Sequence, residues 1–282
     1  MTLNDFWILA TAIVVALVCA IPGTFLVLRR MSMVGDAISH AVLPGIVIAY
    51  LISGSRSSVA MLPGAAAAGM FVAVAIEWLQ KKLRVRDDAA IGLVYTFLFA
   101  VGVILVSAFT AQTDLDQDCV LYGEIAFVPF DLITLSENVF FPRQLLVGTV
   151  LLILILLVLI RGFRGLYLST FDPGYAMSIG VSVAFWHYVL MGMVSFATVV
   201  SFESVGAILV VALLSGPAAS AALFARSLKS MILMSCAFGS IAAVTGYFAA
   251  VWLNVSIAGS IAMFTGIIYF ISLLLKRIIH SF

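Results

Sequence analysis

The sequence has little charge and little cysteine, and both shortages exclude whole classes of protein. Only 10% of its 282 residues are charged, 64% are hydrophobic, and the mean hydropathy is +1.25. A soluble monomer of this composition would expose far too much apolar surface to water. The three cysteines, Cys19, Cys119 and Cys236, have no motif spacing, so neither a disulfide framework nor a zinc knuckle is expected. The composition is that of a polytopic membrane protein.

Several motifs that carry chemistry are absent as well. The sequence contains no Gly-x-x-x-x-Gly-Lys-Ser/Thr phosphate loop, so we expect no nucleotide site in this chain. It contains no His-Glu-x-x-His motif, and the adjacent residues Ser39 and His40 point apart on a helix, which argues against an intramembrane hydrolase. The net charge of +1 and the scattered basic residues indicate no nucleic-acid partner.

Apolar stretches of about the 20 residues needed to cross a bilayer recur along the chain. We expect one transmembrane domain, residues 1–282, built as an all-α bundle of nine helical spans. The expected spans are 6–28, 37–53, 59–80, 89–109, 144–160, 182–201, 205–223, 231–252 and 257–275. The second is short and interrupted by Pro44 and Gly45, so eight spans are the alternative. The first is longer than a signal-peptide core and has no basic residue before it, so we expect it to be retained.

The basic residues of the loops predict the orientation of the chain. In a nine-span arrangement one side carries Arg29, Arg30, Lys81, Lys82, Arg84, Arg86, Arg161, Arg164, Arg226, Lys229, Lys276 and Arg277. The opposite side carries the longest loop, about 110–143, which is rich in aspartate and glutamate. Because cytoplasmic loops are enriched in lysine and arginine, we expect the N-terminus outside and the C-terminus in the cytoplasm.

The order of the spans suggests an internal repeat. Nine spans divide into four, one and four, and the fifth span reverses the direction of the second group. The second span of each group carries a proline and a glycine, Pro44-Gly45 in one and Gly216-Pro217 in the other. Matched interruptions of this kind are typical of inverted repeats that form a translocation pathway. Proline and glycine are also frequent in membrane helices generally, which leaves the repeat open.

The segment GDAISHAVLPG, residues 35–45, carries the best candidate for a functional site. Asp36 and His40 are four residues apart, so on a helix they share one face and can direct a carboxylate oxygen and an imidazole nitrogen to one point. Divalent transition metals accept both ligands, and ionisable groups within a membrane are costly unless they function. Taken singly, Asp36 has an alternative role as a helix N-cap and His40 as a buried, hydrogen-bonded imidazole.

Other candidates lie nearer the outer side. Glu203 opens the expected seventh span, where it is either a further metal contact or a carboxylate that caps the helix N-terminus. Asp118 and Glu124 belong to the acidic outer loop, where they either attract cations or form an ordinary solvated surface. His187 is flanked by aromatic residues in the sixth span, and we expect a hydrogen-bonded core histidine rather than a ligand.

Five segments in register resemble those of a known family. They are GDAISHAVLPG at 35–45, DDAAIGLVYT at 87–96, LYGEI at 121–125, FDPGYAMSIG at 171–180 and SFESVGAILVVALLSGPAASAALFARS at 201–227. Together they cover nearly the whole chain and resemble the zinc, manganese and iron permeases of ATP-binding-cassette importers. The resemblance implies a permease of a prokaryotic cell membrane that transports manganese, zinc or ferrous iron as substrate and holds no permanent cofactor.

The same resemblance implies several partners. Cytoplasmic ATP-binding subunits would drive transport, with the loop after LLSGPAASAAL as the coupling element. An extracytoplasmic metal-binding protein would deliver the ion, and a second permease subunit, identical or related, would form the other half of the pore. The segments 169–180 and 218–230 are the expected contacts with the soluble subunits. The alternative from the residues alone is a secondary transporter driven by an ion gradient, with Asp36 and His40 as its proton relay.

Overall fold

The protein is a bundle of helices with one small β-hairpin. The computed structural model describes residues 3–53, 58–109, 125–136 and 139–279. In that part of the chain the helices are α1 (Leu3–Leu28), α2 (Met33–Ala41), α3 (Leu43–Ser53), α4 (Ser58–Leu83), α5 (Asp87–Phe109), α6 (Arg143–Phe171), α7 (Pro173–Ser178), α8 (Val183–Val205), α9 (Ala207–Ala222), α10 (Leu228–Leu253) and α11 (Ile257–Ile279). A 3₁₀ helix (Ile125–Phe130) precedes the antiparallel strands β1 (Leu132–Ser136) and β2 (Val139–Pro142).

The helices confirm a polytopic all-α membrane protein. Among the described residues, eight segments are long and apolar enough to cross a membrane, with α2 and α3 counted as one segment, Met33–Ser53. α9 is also apolar but has only 16 residues, which makes it shorter than a usual span. The expected nine spans therefore correspond to eight full-length segments and one short helix.

Helix α1 lies at the centre of the bundle. In the most apolar stretch of α1, 72% of the residues are buried, compared with 22% in the corresponding stretches of α5 and α11. It packs against α6, α8, α9 and α10, and Gly23 lies so close to α9 that a Cβ there would collide with the backbone carbonyl of Leu214. The outer helices instead expose large apolar side chains such as Phe97, Ile160 and Phe270, as expected for surfaces that face lipid.

The two expected proline interruptions differ in the structure. Helix α2 ends at Ala41 and α3 begins at Leu43, and Pro44 has no N–H to donate to the carbonyl of His40, so the first interruption is present. The prediction of a second interruption is wrong, because α9 continues as a helix through Gly216 and Pro217. The chain breaks earlier, at Gly206, whose φ of 80° is left-handed and separates α8 from α9.

Contacts between distant segments place the basic loops on one side of the bundle. The Arg29 guanidinium donates to the hydroxyl of Ser169 at the end of α6. Lys229 Nζ, at the start of α10, lies 5.5 Å from the ring centroid of Phe163 in the same part of α6. At the other end of α1, the ring of Trp7 lies 5.1 Å from that of Phe141 in β2. The basic segments at 29–30, 161–164 and 226–229 therefore share one face of the protein.

Candidate metal site

The site is built on one face of α2. Asp36 Oδ1 lies 3.4 Å from His40 Nε2, and their side chains remain 41% and 32% exposed. Because α2 begins at Met33, Asp36 is already the fourth residue of the helix, so its alternative role as an N-cap is wrong. Ser32 occupies the cap position and makes no side-chain cap hydrogen bond. The carboxylate is therefore directed toward His40 rather than toward the start of the helix.

The opposite face of α2 fixes the rotation of the helix. Val34, Ile38 and Ala41 are completely buried. A Cβ on Gly35 would lie 2.8 Å from Leu214 Cδ1, which shows how closely α2 approaches α9. With this face packed into the core, the Asp36–His40 pair must point away from it.

Helix α5 flanks the imidazole with two aromatic rings. The ring of His40 lies 5.6 Å from that of Tyr95 and 6.0 Å from that of Phe99, measured between centroids. These two rings shield one side of the imidazole and restrict its orientation. Sequence reasoning did not identify Tyr95 and Phe99, because nothing in the pattern of α5 distinguishes them from other lipid-facing aromatic residues.

The separation of the two ligand atoms suits a shared metal ion. Ligand atoms about 2.1 Å from an ion, at a tetrahedral angle, lie about 3.4 Å from each other. The observed distance between Asp36 Oδ1 and His40 Nε2 is 3.4 Å. Without a metal the same geometry lets the carboxylate face a ring nitrogen of the imidazole and fix its orientation.

The pair is an incomplete site. In the part of the chain that the structure describes, no group of three or more histidine, cysteine, aspartate or glutamate side chains could hold a metal. Ser39 does not contribute, since its hydroxyl donates to the carbonyl of Gly35 at 3.0 Å. A complete site would need further ligands, such as water, a backbone or other side-chain oxygen, or a group from another chain.

The remaining candidates are not brought to this pair. Glu203 lies in the last turn of α8 and is exposed, so its expected role at the N-terminus of the next span is wrong. It is sixteen residues from His187, or about 24 Å along the helix axis. The side chain of His187 in turn lies beside Arg29, which precedes α2 by four residues. Asp118 and Glu124 lie outside the described residues.

His187 is a partner of Arg29 rather than a ligand of the candidate site. Its Nδ1 lies 3.3 Å from Nη1 of Arg29, and its ring contacts that of Tyr188. The expected hydrogen bond is therefore present, but His187 is only part-buried and does not lie in the core. Sequence reasoning missed the role of Arg29, since a basic residue just after a span indicates a membrane boundary and nothing more.

The expected docking segments lie on the face that carries the basic loops. Helix α7 is capped by Asp172, whose Oδ1 accepts the N–H of Tyr175 at 2.9 Å. Its exposed side chains include Tyr175 and Met177. The turn after α9 ends at Ser227, which caps α10 by accepting the N–H of Ser230.

Comparisons with known proteins agree with this architecture. A family model described as the ABC 3 transport family matches residues 4–276. The manganese transport system membrane protein MntD of Bacillus subtilis is 45% identical over 265 residues, which cover 94% of this chain and 90% of that protein. The zinc transport system membrane protein TroD of Treponema pallidum is 42% identical over 259 residues, covering 92% and 70%. The structure of PsaBC from Streptococcus pneumoniae in complex with Fab matches with a TM-score of 0.79 and 34% identity, covering 96% of this chain and 91% of that one.

Proposed function

The chain belongs to the ABC 3 transport family, and we propose that Asp36 and His40 serve it as transient ligands for a divalent transition metal ion during import. Within this family the chain is the membrane-spanning permease subunit and is not itself catalytic. The observation that carries the proposal is the 3.4 Å approach of Asp36 Oδ1 to His40 Nε2 on a half-exposed face of α2. Few, exchangeable ligands suit transport, because an ion that is held too tightly cannot leave.

The names of the relatives support two metals as the substrate. They are named for manganese and for zinc, and one oxygen with one nitrogen ligand accepts either ion. We propose manganese or zinc as the ion that this chain transports. Selection between them would come from the ligands that complete the site, since Asp36 and His40 alone do not distinguish the two.

The incompleteness of the site supports a second permease subunit. We propose that two permeases, identical or related, face each other around the pathway and that water or the second subunit supplies the missing ligands. An extracytoplasmic metal-binding protein would deliver the ion at the outer mouth. Cytoplasmic ATP-binding subunits would dock on the face formed by α7 and the turn at 223–227.

The sidedness of the bundle supports the orientation that we propose. The basic segments at 29–30, 161–164 and 226–229 share one face, and this face would be cytoplasmic by the positive-inside rule. The N-terminus would then be outside and the C-terminus inside, in the cell membrane of a prokaryote. Asp36 would lie nearer the cytoplasmic surface than the outer entrance, which fits a ligand along the pathway or at a gate.

The ligand assignment is tested by substitution in the assembled importer. We expect Asp36→Ala and His40→Ala each to lower the rate of radioactive manganese or zinc uptake at least tenfold, because loss of a ligand costs more than the 10–100-fold typical of an outer-shell partner. The matched control is Asp88→Ala, which removes an exposed carboxylate in the first turn of α5. Wild-type uptake by both ligand variants, at equal membrane levels, would show that the assignment is wrong.

A second experiment tests the source of energy. We expect uptake to require the co-expressed ATP-binding subunit and to continue when the proton gradient is collapsed, since the chain belongs to a family of ABC permeases. Uptake that persists without the ATP-binding subunit and stops with the gradient would instead favour the secondary transporter.

A further inference from the structure

Arg29 lies at the junction of three separate parts of the bundle. It follows α1 directly and begins the short turn that leads into α2. Its Nε donates to Thr170 Oγ1 at 3.1 Å, and its Nη2 donates to Ser169 Oγ at 2.9 Å, both in the last turn of α6. Its Nη1 lies 3.3 Å from Nδ1 of His187 near the start of α8. One guanidinium thus joins the end of α1 to the end of α6 and to the start of α8.

Arg29 is a part-buried cation whose hydrogen-bond partners are all neutral. Its side chain is half-buried, and burial lowers the pKa of Arg29 below the ordinary value of an arginine, although the group remains protonated. Among the described residues, no carboxylate forms an ion pair with it. A desolvated cation held by neutral acceptors depends on the geometry of those acceptors, because no opposite charge compensates for a lost hydrogen bond.

The histidine extends the junction toward α4. Because arginine can only donate, Nδ1 of His187 must accept, and the ring proton is therefore assigned to Nε2. Nε2 lies 3.9 Å from Glu77 Oε2, which is about 1 Å longer than a hydrogen bond. Glu77 pairs with Lys81 through its other carboxylate oxygen. At this junction Arg29 joins the end of α1 directly to α6 and α8, whereas the carboxylate of Glu77 in α4 lies just beyond hydrogen-bonding distance of His187.

The turn after Arg29 leads directly to the candidate site. The N–H of Met31 donates to the carbonyl of Leu26, and the N–H of Val34 donates to the carbonyl of Met31. Arg30 adopts a left-handed conformation, with φ of 59°, which makes the turn tight. Asp36 follows Arg29 by only seven residues, so a displacement of Arg29 shifts the start of α2 and the ligand pair with it.

The other side of the junction is the hairpin formed by the end of α6, α7 and the start of α8. Trp186 of α8 packs against Gly162 and Gly165 of α6, where any Cβ would collide with the indole. This contact packs α8 closely against α6 at the base of the hairpin. Asp172, the cap of α7, follows Thr170 by only two residues. The acceptors of Arg29 are therefore part of the α6–α7–α8 hairpin, which lies on the face with the basic loops.

We propose that Arg29 is a positioning residue for transport, which fixes the Asp36–His40 pair relative to the α6–α7–α8 hairpin and transmits displacements of the hairpin to α2. The proposal rests on the proposed function, in which the hairpin contacts the ATP-binding subunits and α2 carries the metal. Arg29 does not touch the metal. Its substitution therefore changes how motion reaches the site and leaves the affinity of the site for metal intact.

The first test compares two adjacent arginines in the assembled importer. We expect Arg29→Gln to lower the maximal rate of manganese or zinc uptake about tenfold and to raise ATP hydrolysis per imported ion. The metal concentration for half-maximal uptake should stay within about twofold. Arg29→Lys retains the positive charge but loses the planar guanidinium and its several N–H donors, so it should recover only part of the rate. Arg30→Gln is the control, since Arg30 has the same charge and is exposed.

The second test measures position directly and does not depend on uptake. Spin labels at Met33→Cys and Met177→Cys, both exposed positions, report the distance between α2 and α7 in a cysteine-free background with bound ATP-binding subunits. We expect one distance that changes on ATP binding, and a broad, ATP-insensitive distribution with Arg29→Gln. The pair Ser169→Ala and Thr170→Val should reproduce this effect from the acceptor side.

Three results would overturn the proposal. They are equal loss of uptake in Arg29→Gln and Arg30→Gln, an Arg29→Gln defect confined to half-maximal metal concentration, and an unchanged ATP-dependent distance in both sets of variants. The distance measurement separates this proposal from the ligand assignment. If Asp36→Ala transports normally and the distance still responds to Arg29→Gln, the ligand assignment is wrong and the positioning role of Arg29 stands.

Discussion

At the scale of single residues, the closest helix contacts depend on the absence of a side chain. Gly23 of α1 lies against the backbone carbonyl of Leu214, which cannot rotate away as a side chain would. We expect Gly23→Ala to lower the free energy of unfolding of the purified permease by about 1–3 kcal/mol, because the two backbones must move apart. Denaturant titration in detergent micelles measures this change.

A second glycine provides the control for this prediction. Gly266 in α11 has nothing within 4 Å of the position of a Cβ. Gly266→Ala should raise the free energy of unfolding by about 0.5–1 kcal/mol, since alanine restricts the unfolded chain more than glycine does. Similar changes in the two variants would show that close α1–α9 packing does not limit stability.

At the scale of elements, the junction between α2 and α3 is a hinge candidate. Pro44 removes the hydrogen bond that would otherwise join residue 44 to the carbonyl of His40, although Val42 itself keeps a helical φ of −71°. We expect Pro44→Ala to restore this bond and to slow amide hydrogen exchange in the peptide that spans Met33–Ser53. The added bond is worth about 1 kcal/mol, so maximal uptake should fall about fivefold if the hinge moves during transport.

The matched control for the hinge is another helical proline. Pro63 lies inside α4 and lines the same apolar groove as Pro44, but α4 is not interrupted there. Pro63→Ala should leave the exchange of the Met33–Ser53 peptide unchanged. Fast exchange that persists in Pro44→Ala would show that the proline does not weaken the junction.

At the scale of the whole molecule, the side assigned to the cytoplasm can be checked by labelling. Val255 lies in the turn between α10 and α11, and Arg86 lies in the turn between α4 and α5; both are exposed. Because α10 starts on the face with the basic loops, Val255 at its far end lies on the opposite side of the bundle. We expect Val255→Cys to react with a membrane-impermeant maleimide in intact cells. Arg86→Cys should react only after permeabilisation, because its basic segment is held inside.

The labelling uses a background in which Cys19, Cys119 and Cys236 are replaced by alanine. Each single-cysteine variant must retain uptake, so that the labelled protein is the folded permease. The reverse pattern of labelling would place the Asp36 end of α2 toward the outside. The pair would then lie near the entrance and would suit first capture of the ion.

The sequence predicted the spans because a bilayer requires about 20 apolar residues for each helix. The sequence predicted the ends of the helices less accurately. The sequence predicts Glu203 at the start of a span, whereas the break falls at Gly206, and Gly216-Pro217 causes no break in α9. A proline in the chain does not show whether neighbouring helices hold the backbone in place around it.

The sequence by itself determined that this protein spans a membrane and that Asp36 and His40 share a helical face, since composition and a four-residue spacing are local properties. Only the tertiary structure decided that this face is half-exposed, that Tyr95 and Phe99 flank the imidazole, and that Glu203 lies far along α8. Only the tertiary structure joins Arg29 to Ser169, Thr170 and His187, because these hydrogen bonds connect residues about 140 to 158 positions apart. Pairings over such distances are set by how the helices pack against one another, and no local pattern specifies them.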